Sequence, residues 1–295
     1  TILAFGKEAV SLVGKLDCGV VGASALGGPI LEMLARDKVR SIMICDPDCI
    51  EETNLNRLLG ATAGDIGRPK VEFSAERIKR ISPEIEVISF QKSFYEKEVQ
   101  GAFSQVDVIF GCVDSGARLS INRLALANLI PYFDLGASIE VKDRLLNFVG
   151  GQIYNVIPGR TVCLSCSGAF DHMLYEYNSP NDIEFEVARG YIRGDVNDLE
   201  PSVMYLDNCV AGLGYSEFLK YVFGRRDDEI FKVYYQEISN KLVSSRCFKT
   251  GCIVCRDGDY LGKGDKVPIM IPRKDADFTF IDSQKDHERS ELAGM

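Results

Sequence analysis

A short apolar run, Leu16-Asp-Cys-Gly-Val-Val21, passes through Gly22-Ala-Ser-Ala-Leu-Gly27-Gly28 into Pro29-Ile-Leu-Glu-Met-Leu-Ala-Arg36. A second apolar run, Ser41-Ile-Met-Ile-Cys45, follows and ends in Asp46. No other stretch limits the fold as tightly. The first run reads as a buried strand, and Pro29 sits in the first turn of a helix, where a missing N–H is no loss. Strand, glycine turn, helix, strand and acid make a parallel unit whose turn seats phosphate on a helix N-terminus. Its acid reaches a ribose hydroxyl. Gly22, Ser24 and Gly27 therefore read as the loop beneath a nucleotide, with Asp46 on the ribose. Ser24 stands where the dinucleotide fingerprint has its close-approach glycine. On this segment alone, an NAD-dependent oxidoreductase is an equal reading.

The residues after Asp46 separate the two. Asp46-Pro-Asp48-Cys-Ile-Glu-Glu-Thr-Asn54-Leu-Asn56-Arg57 is a polar loop past a strand's carboxyl end, the edge where open α/β sheets bind ligands. Asp65-Ile-Gly67-Arg68-Pro69-Lys70 then opens an amphipathic helix from Val71 to Ile81. Arg57 and Lys70 are two cations flanking one edge, suited to a triphosphate. Further strands are expected at Glu86–Phe90 and Val106–Val113, the latter ending in Asp114-Ser115. An aspartate there suits a magnesium ion beside phosphates. The alternation predicts a doubly wound, Rossmann-like α/β half over residues 16–133. Asp134 to Gly159 reads as strands carrying the sheet onward in antiparallel fashion. An irregular acidic stretch, a helix from Leu206 to Phe223, and short strands at Phe231–Gln236 and Lys241–Ser245 follow.

Ten cysteines punctuate the chain, six of them singly. The other four form two pairs, Cys163-Leu-Ser-Cys166 and Cys252-Ile-Val-Cys255. Each C-x-x-C turn aims two thiolates at one point, and two such turns complete a tetrahedral zinc site with no open position. That set reads as a structural clamp joining distant segments; a redox pair or four buried thiols are the alternatives. With 34 basic and 43 acidic residues, the net charge of −9 disfavours a nucleic-acid partner. A 46% hydrophobic share disfavours disorder. No apolar run approaches the roughly 18–20 residues that span a bilayer. Thr1–Glu8 lacks a signal pattern, so a cytoplasmic location is expected.

Together these segments carry a family resemblance. Asp46-Pro-Asp48 through Asn54-Leu-Asn56-Arg57 resembles the D-x-D…N-L-x-R motif of ubiquitin-activating-enzyme-like adenylyltransferases. Gly67-Arg68-Pro69-Lys70 is similar to that family's G-x-P-K segment, and Asp107 through Asp114-Ser115, Arg118 and Asn122 to its D-x-V-x-x-C-x-D-N…R…N segment. The paired cysteines match the zinc site of bacterial members that activate sulfur carriers. Ala4–Glu8 and Asp134-Leu-Gly136 resemble the branch associated with bacterial ubiquitin-like conjugation.

The resemblance implies ATP-dependent adenylation of the C-terminal glycine carboxylate of a ubiquitin-like protein, with release of pyrophosphate. A sulfur-carrier protein or a short peptide carboxylate is the alternative substrate. It implies Asp46 and Asp48 at the nucleotide, Asn54, Arg57 and Lys70 on the phosphates, and Asp114 with Ser115 around magnesium. It further implies zinc on Cys163, Cys166, Cys252 and Cys255, a homodimer, and a conjugating enzyme as a further partner. Residues 1–255 would be the adenylation domain. Within it, 134–255 would be the carrier-binding half, with a crossover segment at 167–202, and 256–295 would form a tail. Ser24-Ala25 and Ser115 depart from the family pattern, and the family's cross-dimer arginine would lie before Thr1. No cysteine occurs between Ser167 and Asn208, and Cys209 reads as a buried small hydrophobe rather than an acceptor thiol. An inactive scaffold subunit is a further alternative, disfavoured by the retained phosphate cations.

Overall fold

The computed structural model describes residues 6–113, 117–142, 145–167, 202–225, 230–246, 252, 254–255 and 260–264. The chain opens with α1 (Lys7–Val13), β1 (Asp17–Val21), α2 (Gly27–Asp37) and β2 (Ser41–Cys45). It continues through α3 (Lys70–Ile81), β3 (Glu86–Phe90), α4 (Lys97–Phe103), β4 (Val108–Gly111), α5 (Ala117–Ala127) and β5 (Tyr132–Lys142). It then runs through β6 (Leu145–Val156), the short α6 (Leu164–Ser167), α7 (Met204–Val222), β7 (Ile230–Gln236) and β8 (Lys241–Arg246). Among the described residues, one eight-stranded sheet in the order β3-β2-β1-β4-β5-β6-β7-β8 holds every strand. It is parallel from β3 to β5 and antiparallel from β5 to β8. The expected Rossmann-like sheet continuing into antiparallel strands is the observed architecture.

The register follows from burial. β1 and β4 are central, and Cys18–Val21 and Val108–Gly111 are buried without the alternation of a half-exposed strand. On one face α2 and α7 cover the sheet. Ile30 and Leu34 of α2 join Val210 and Phe218 of α7 over Val20, Phe110 and Phe133. Phe218 stands edge-on to Phe110, with ring centroids 5.2 Å apart, and to Phe133 at 6.0 Å. Phe103 of α4 and Leu126 of α5 belong to a second apolar cluster with Tyr132, Tyr154 and the cysteine pairs.

Strand order reverses at β1. From there the chain reaches β2 on one side and, later, β4 on the other, so the carboxyl ends of β1 and β4 frame the crevice where doubly wound sheets bind ligands. The glycine loop follows β1 and Asp46 follows β2, both at this edge. The expected crossover segment lies outside the described residues apart from Ser167 and Ser202, as does the tail beyond residue 264. Among the described residues no helix is long and apolar enough to cross a membrane.

Candidate active site

Two glycines shape the loop after β1. Gly22 has φ +92°, and a Cβ there would lie 2.4 Å from the carbonyl oxygen of Cys112. At Gly27, a Cβ would lie 1.9 Å from the Gly22 carbonyl oxygen. Neither position has room for a side chain, so the turn from strand to helix depends on both. The Gly22 N–H donates to Cys45 O at 2.8 Å, and the Gly28 N–H to Ser24 O at 2.7 Å, which starts α2. Ser24 and Ala25 are half-buried, whereas Gly22, Ala23, Leu26 and Gly27 are buried.

Asp46 locks that loop in place. Only 5% exposed, it accepts the Ala23 N–H at 2.7 Å and the Asp48 N–H at 2.9 Å. Burial pushes its carboxyl above the ordinary aspartate value, opposed by the nearby Lys70 charge and the two N–H donors. A carboxylate has about four acceptor directions, so two backbone bonds leave it able to accept from a ribose.

Lys70 is the first residue of α3 and is buried, with its Nζ 2.8 Å from Asp48 Oδ2. Its position follows from a backbone zip between two loops. Ile50 N–H donates to Arg68 O at 2.9 Å, Gly67 N–H to Ile50 O at 2.8 Å, and Lys70 N–H to Asp48 O at 3.0 Å. The zip brings the G-x-P-K segment to the D-x-D segment, and with it Lys70 to Asp46.

Asn54 and Arg57 stay within their own loop. Asn54 is buried and its Oδ1 accepts the Glu51 N–H at 3.1 Å, closing a capping box on the short 3₁₀ turn Glu52–Asn54. Arg57 Nη1 donates to Thr53 O at 2.7 Å and to Asn56 Oδ1 at 3.1 Å. Among the described residues no hydrogen bond joins Arg57 to Asp46 or Lys70. Asn56 Nδ2 in turn donates to Ser202 O at 3.3 Å, tying this loop to the segment that leads into α7. Asp114 and Ser115 lie outside the described residues. Thus Gly22, Ser24, Gly27, Asp46, Asp48 and Lys70 form one connected set, while Asn54 and Arg57 make local contacts.

A buried network behind β4 escaped the sequence reading. Arg118 of α5 grips Asp134 of β5, with Nε 3.0 Å from Oδ1 and Nη2 2.8 Å from Oδ2, and Nη2 also donates to Leu135 O at 3.1 Å. The Tyr132 hydroxyl donates to Asp134 Oδ1 at 2.5 Å. Asp134 has no exposed surface, and these donors meet it inside the protein. An acid inside the apolar run Pro131-Tyr-Phe-Asp134-Leu was the available signal, because a buried charge needs a partner.

The four paired cysteines converge. Cys163 Sγ lies 3.8 Å from the sulfurs of Cys166 and Cys252, and Cys166 Sγ lies 3.6 Å from that of Cys255. All four sulfurs are within 4.8 Å of one another. Sulfurs at the Zn–S distance of about 2.3 Å on a tetrahedron stand about 3.8 Å apart, so the set has the size zinc requires. These separations are far beyond a disulfide bond, and convergence of two pairs is more than a redox C-x-x-C needs. Contact between the sulfurs lowers Cys166 to about 7, chiefly through the thiol of Cys163, and pushes Cys163 up. Cys209 corrects an expectation. It is exposed on α7, because that face of the helix points away from the sheet.

The ThiF family model matches residues 1–254. The chain is 39% identical over 101 residues to the tRNA threonylcarbamoyladenosine dehydratase of Bacillus subtilis (strain 168), covering 34% of this chain and 39% of that protein. It is 29% identical over 119 residues to the sulfur carrier protein ThiS adenylyltransferase of Escherichia coli (strain K12), covering 40% and 47%. In both cases the match spans less than half of the curated relative. Among solved structures, Escherichia coli MccB with ATP superposes with a TM-score of 0.64 at 18% identity, covering 84% of this chain and 68% of that one. That likeness concerns the fold.

Proposed function

The chain belongs to the ThiF family of ubiquitin-activating-enzyme-like adenylyltransferases, and on that premise we propose that it adenylates the C-terminal glycine carboxylate of a ubiquitin-like protein with ATP, as the activating step of a bacterial conjugation system. The observation that carries this reading is the tie between the Asp46 carboxylate and the Ala23 N–H, with Lys70 beside it at the switch point of the sheet. Asp46 would present its remaining lone pairs to the ribose, and the N-terminal N–H groups of α2 would face the phosphates. Lys70 would exchange Asp48 for a phosphate oxygen, and Arg57 would swing from Thr53 to the same charge. We assign Asp114 with Ser115 to hold a magnesium ion, which would supply positive charge against the triphosphate.

In the reaction a carboxylate oxygen attacks the α-phosphorus. The bond from that phosphorus to the bridging oxygen of the β-phosphate breaks, and pyrophosphate leaves with the electron pair. The product is an acyl-adenylate. Little acid–base chemistry is needed, so placement and charge neutralisation are the protein's part. We assign zinc to Cys163, Cys166, Cys252 and Cys255, where four thiolates leave no open position and the ion supplies a cross-link between segments. We further assign residues 1–255 to the adenylation domain, with a homodimer as the working unit.

A sulfur-carrier or short-peptide carboxylate is the second substrate reading. It is favoured by one relative being named for the ThiS sulfur carrier and by the fold likeness to MccB, which was crystallised with N-formylated MccA. The net charge of −9 argues against a tRNA substrate. Intact-mass analysis of candidate carriers incubated with the chain and MgATP tests the reading. A carrier gaining one AMP, lost when its terminal carboxyl is amidated, supports it; NAD binding without ATP binding contradicts it.

A further inference from the structure

Helix α5 starts at the same sheet edge as the nucleotide loops, four residues after Val113. Its N-terminal turn is fixed by Arg118 on Asp134. One turn on, the fully buried Asn122 accepts the Leu164 N–H at 3.0 Å through Oδ1, and Leu164 lies between the first pair of cysteines. Its Nδ2 is buried without a hydrogen-bond partner among the described residues. The next residue, Arg123, sits near Tyr260 and Cys163. At the far end of the helix, the segment after the second cysteine pair closes the last turn. Gly262 N–H donates to Leu126 O at 3.1 Å and Gly264 N–H to Ala127 O at 2.8 Å. Carbonyls at a helix end lack the usual partner a turn further on, and Leu126 O also accepts the Leu129 N–H at 3.3 Å. The described parts of both cysteine segments therefore converge on α5.

We infer that α5 is the helix that the tetrathiolate clamp holds in place, with Asn122 as the positioning residue that joins clamp to helix. This rests on the assignment of zinc to the four cysteines. Zinc with four thiolates carries two net negative charges, and a cation at Arg123 together with N–H donors nearby is what such a centre needs around it. Without the ion, four close thiols lose their cross-link. Leu164 and the 260–264 segment are then free to leave Asn122 and the helix end.

The test is hydrogen exchange on the full chain before and after zinc is stripped with a chelator, with zinc per chain measured by elemental analysis. Stripping is expected to speed exchange at the α5 amides 121–127 at least tenfold, while α2 (Gly27–Asp37) changes little. In parallel, Asn122→Ala is expected to release zinc to a colorimetric chelator about 10–100-fold faster than the native chain. Ile78→Val, a core truncation on α3 in the apolar cluster that does not hold the cysteine pairs, should release it at the native rate. Zinc that is held while α5 exchange ignores its removal overturns this inference alone. A native chain that takes up no zinc overturns both it and the zinc assignment. If Asn122→Ala does not fold, the chelation experiment on the native chain decides.

Discussion

Lys70 Nζ lies 2.8 Å from Asp48 Oδ2, and the two side chains differ sharply in exposure, 8% for the lysine and 63% for the aspartate. A buried ammonium whose partner faces solvent is already positioned and can change partners without a search through rotamers. Lys70→Met should therefore lower kcat/KM for adenylation about 30- to 1,000-fold, by comparison with the loss of one transition-state donor, about 2–4 kcal/mol. Lys70→Arg should not restore it, because a planar guanidinium does not replace a point charge held in this space. Steady-state kinetics of both variants check this; native rates would remove Lys70 from the site.

Asp46 supplies a pH dependence. Burial raises its folded-state pKa above the ordinary 3.8, against the pull of Lys70. A raised carboxyl pKa means the folded chain takes up this proton before the unfolded chain does. Its ionisation thus weighs against the ATP-free fold above the folded pKa, and that burden is relieved as pH falls through it. In the proposed role Asp46 accepts from the ribose in its ionised form, so ATP affinity should fall on acidification at a pH above 3.8, while the ATP-free chain gains from the same protonation. Calorimetric ATP titrations between about pH 4 and 7 give the curve. A flat affinity across that range would contradict the role of Asp46.

The glycine loop predicts a contrast between two substitutions of the same kind. Gly22→Ala places a methyl 2.4 Å from Cys112 O at φ +92°, and should destabilise by about 1–3 kcal/mol and abolish nucleotide binding. Gly101→Ala lies in α4 with nothing within 4 Å of its new Cβ, and should stabilise by about 0.5–1 kcal/mol. Urea unfolding of both variants is the check.

The β-α-β opening could be read from local order alone: a strand too apolar to be exposed, glycines where Gly22 and Gly27 admit no side chain, and an acid after β2. The cysteine cluster was legible for a similar reason, since C-x-x-C spacing dictates how two thiolates point. Relations between distant segments were not. Nothing in the pattern around residue 50 announces that Ile50 pairs with Arg68 and Gly67, and that pairing is what carries Lys70 to Asp46. Cys209 misled because one residue on an apolar helix does not say which side meets the sheet. Arg118 stands in a recognisable motif, but its partner Asp134 is 16 positions away, on the next strand.

That pair makes its own prediction. Arg118→Met leaves Asp134 without exposed surface and without the guanidinium that pairs with it. The cost should be about 3–5 kcal/mol, whereas the double variant Arg118→Met/Asp134→Leu should lose much less. A double-mutant cycle by chemical denaturation measures the difference. Equal losses in the single and double variants would mean the ion pair is not what holds α5 to β5.

The central claim is that Asp46, Lys70 and the glycine loop hold ATP so that a carboxylate can take its AMP. Exchange of labelled pyrophosphate into ATP by the full chain, with carriers or peptides ending in glycine, tests it most directly. Label should enter ATP only when a free C-terminal carboxylate is present, and Lys70→Met should suppress it. Exchange that is equally fast with an amidated terminus, or none at all while the chain binds NAD, would contradict the account.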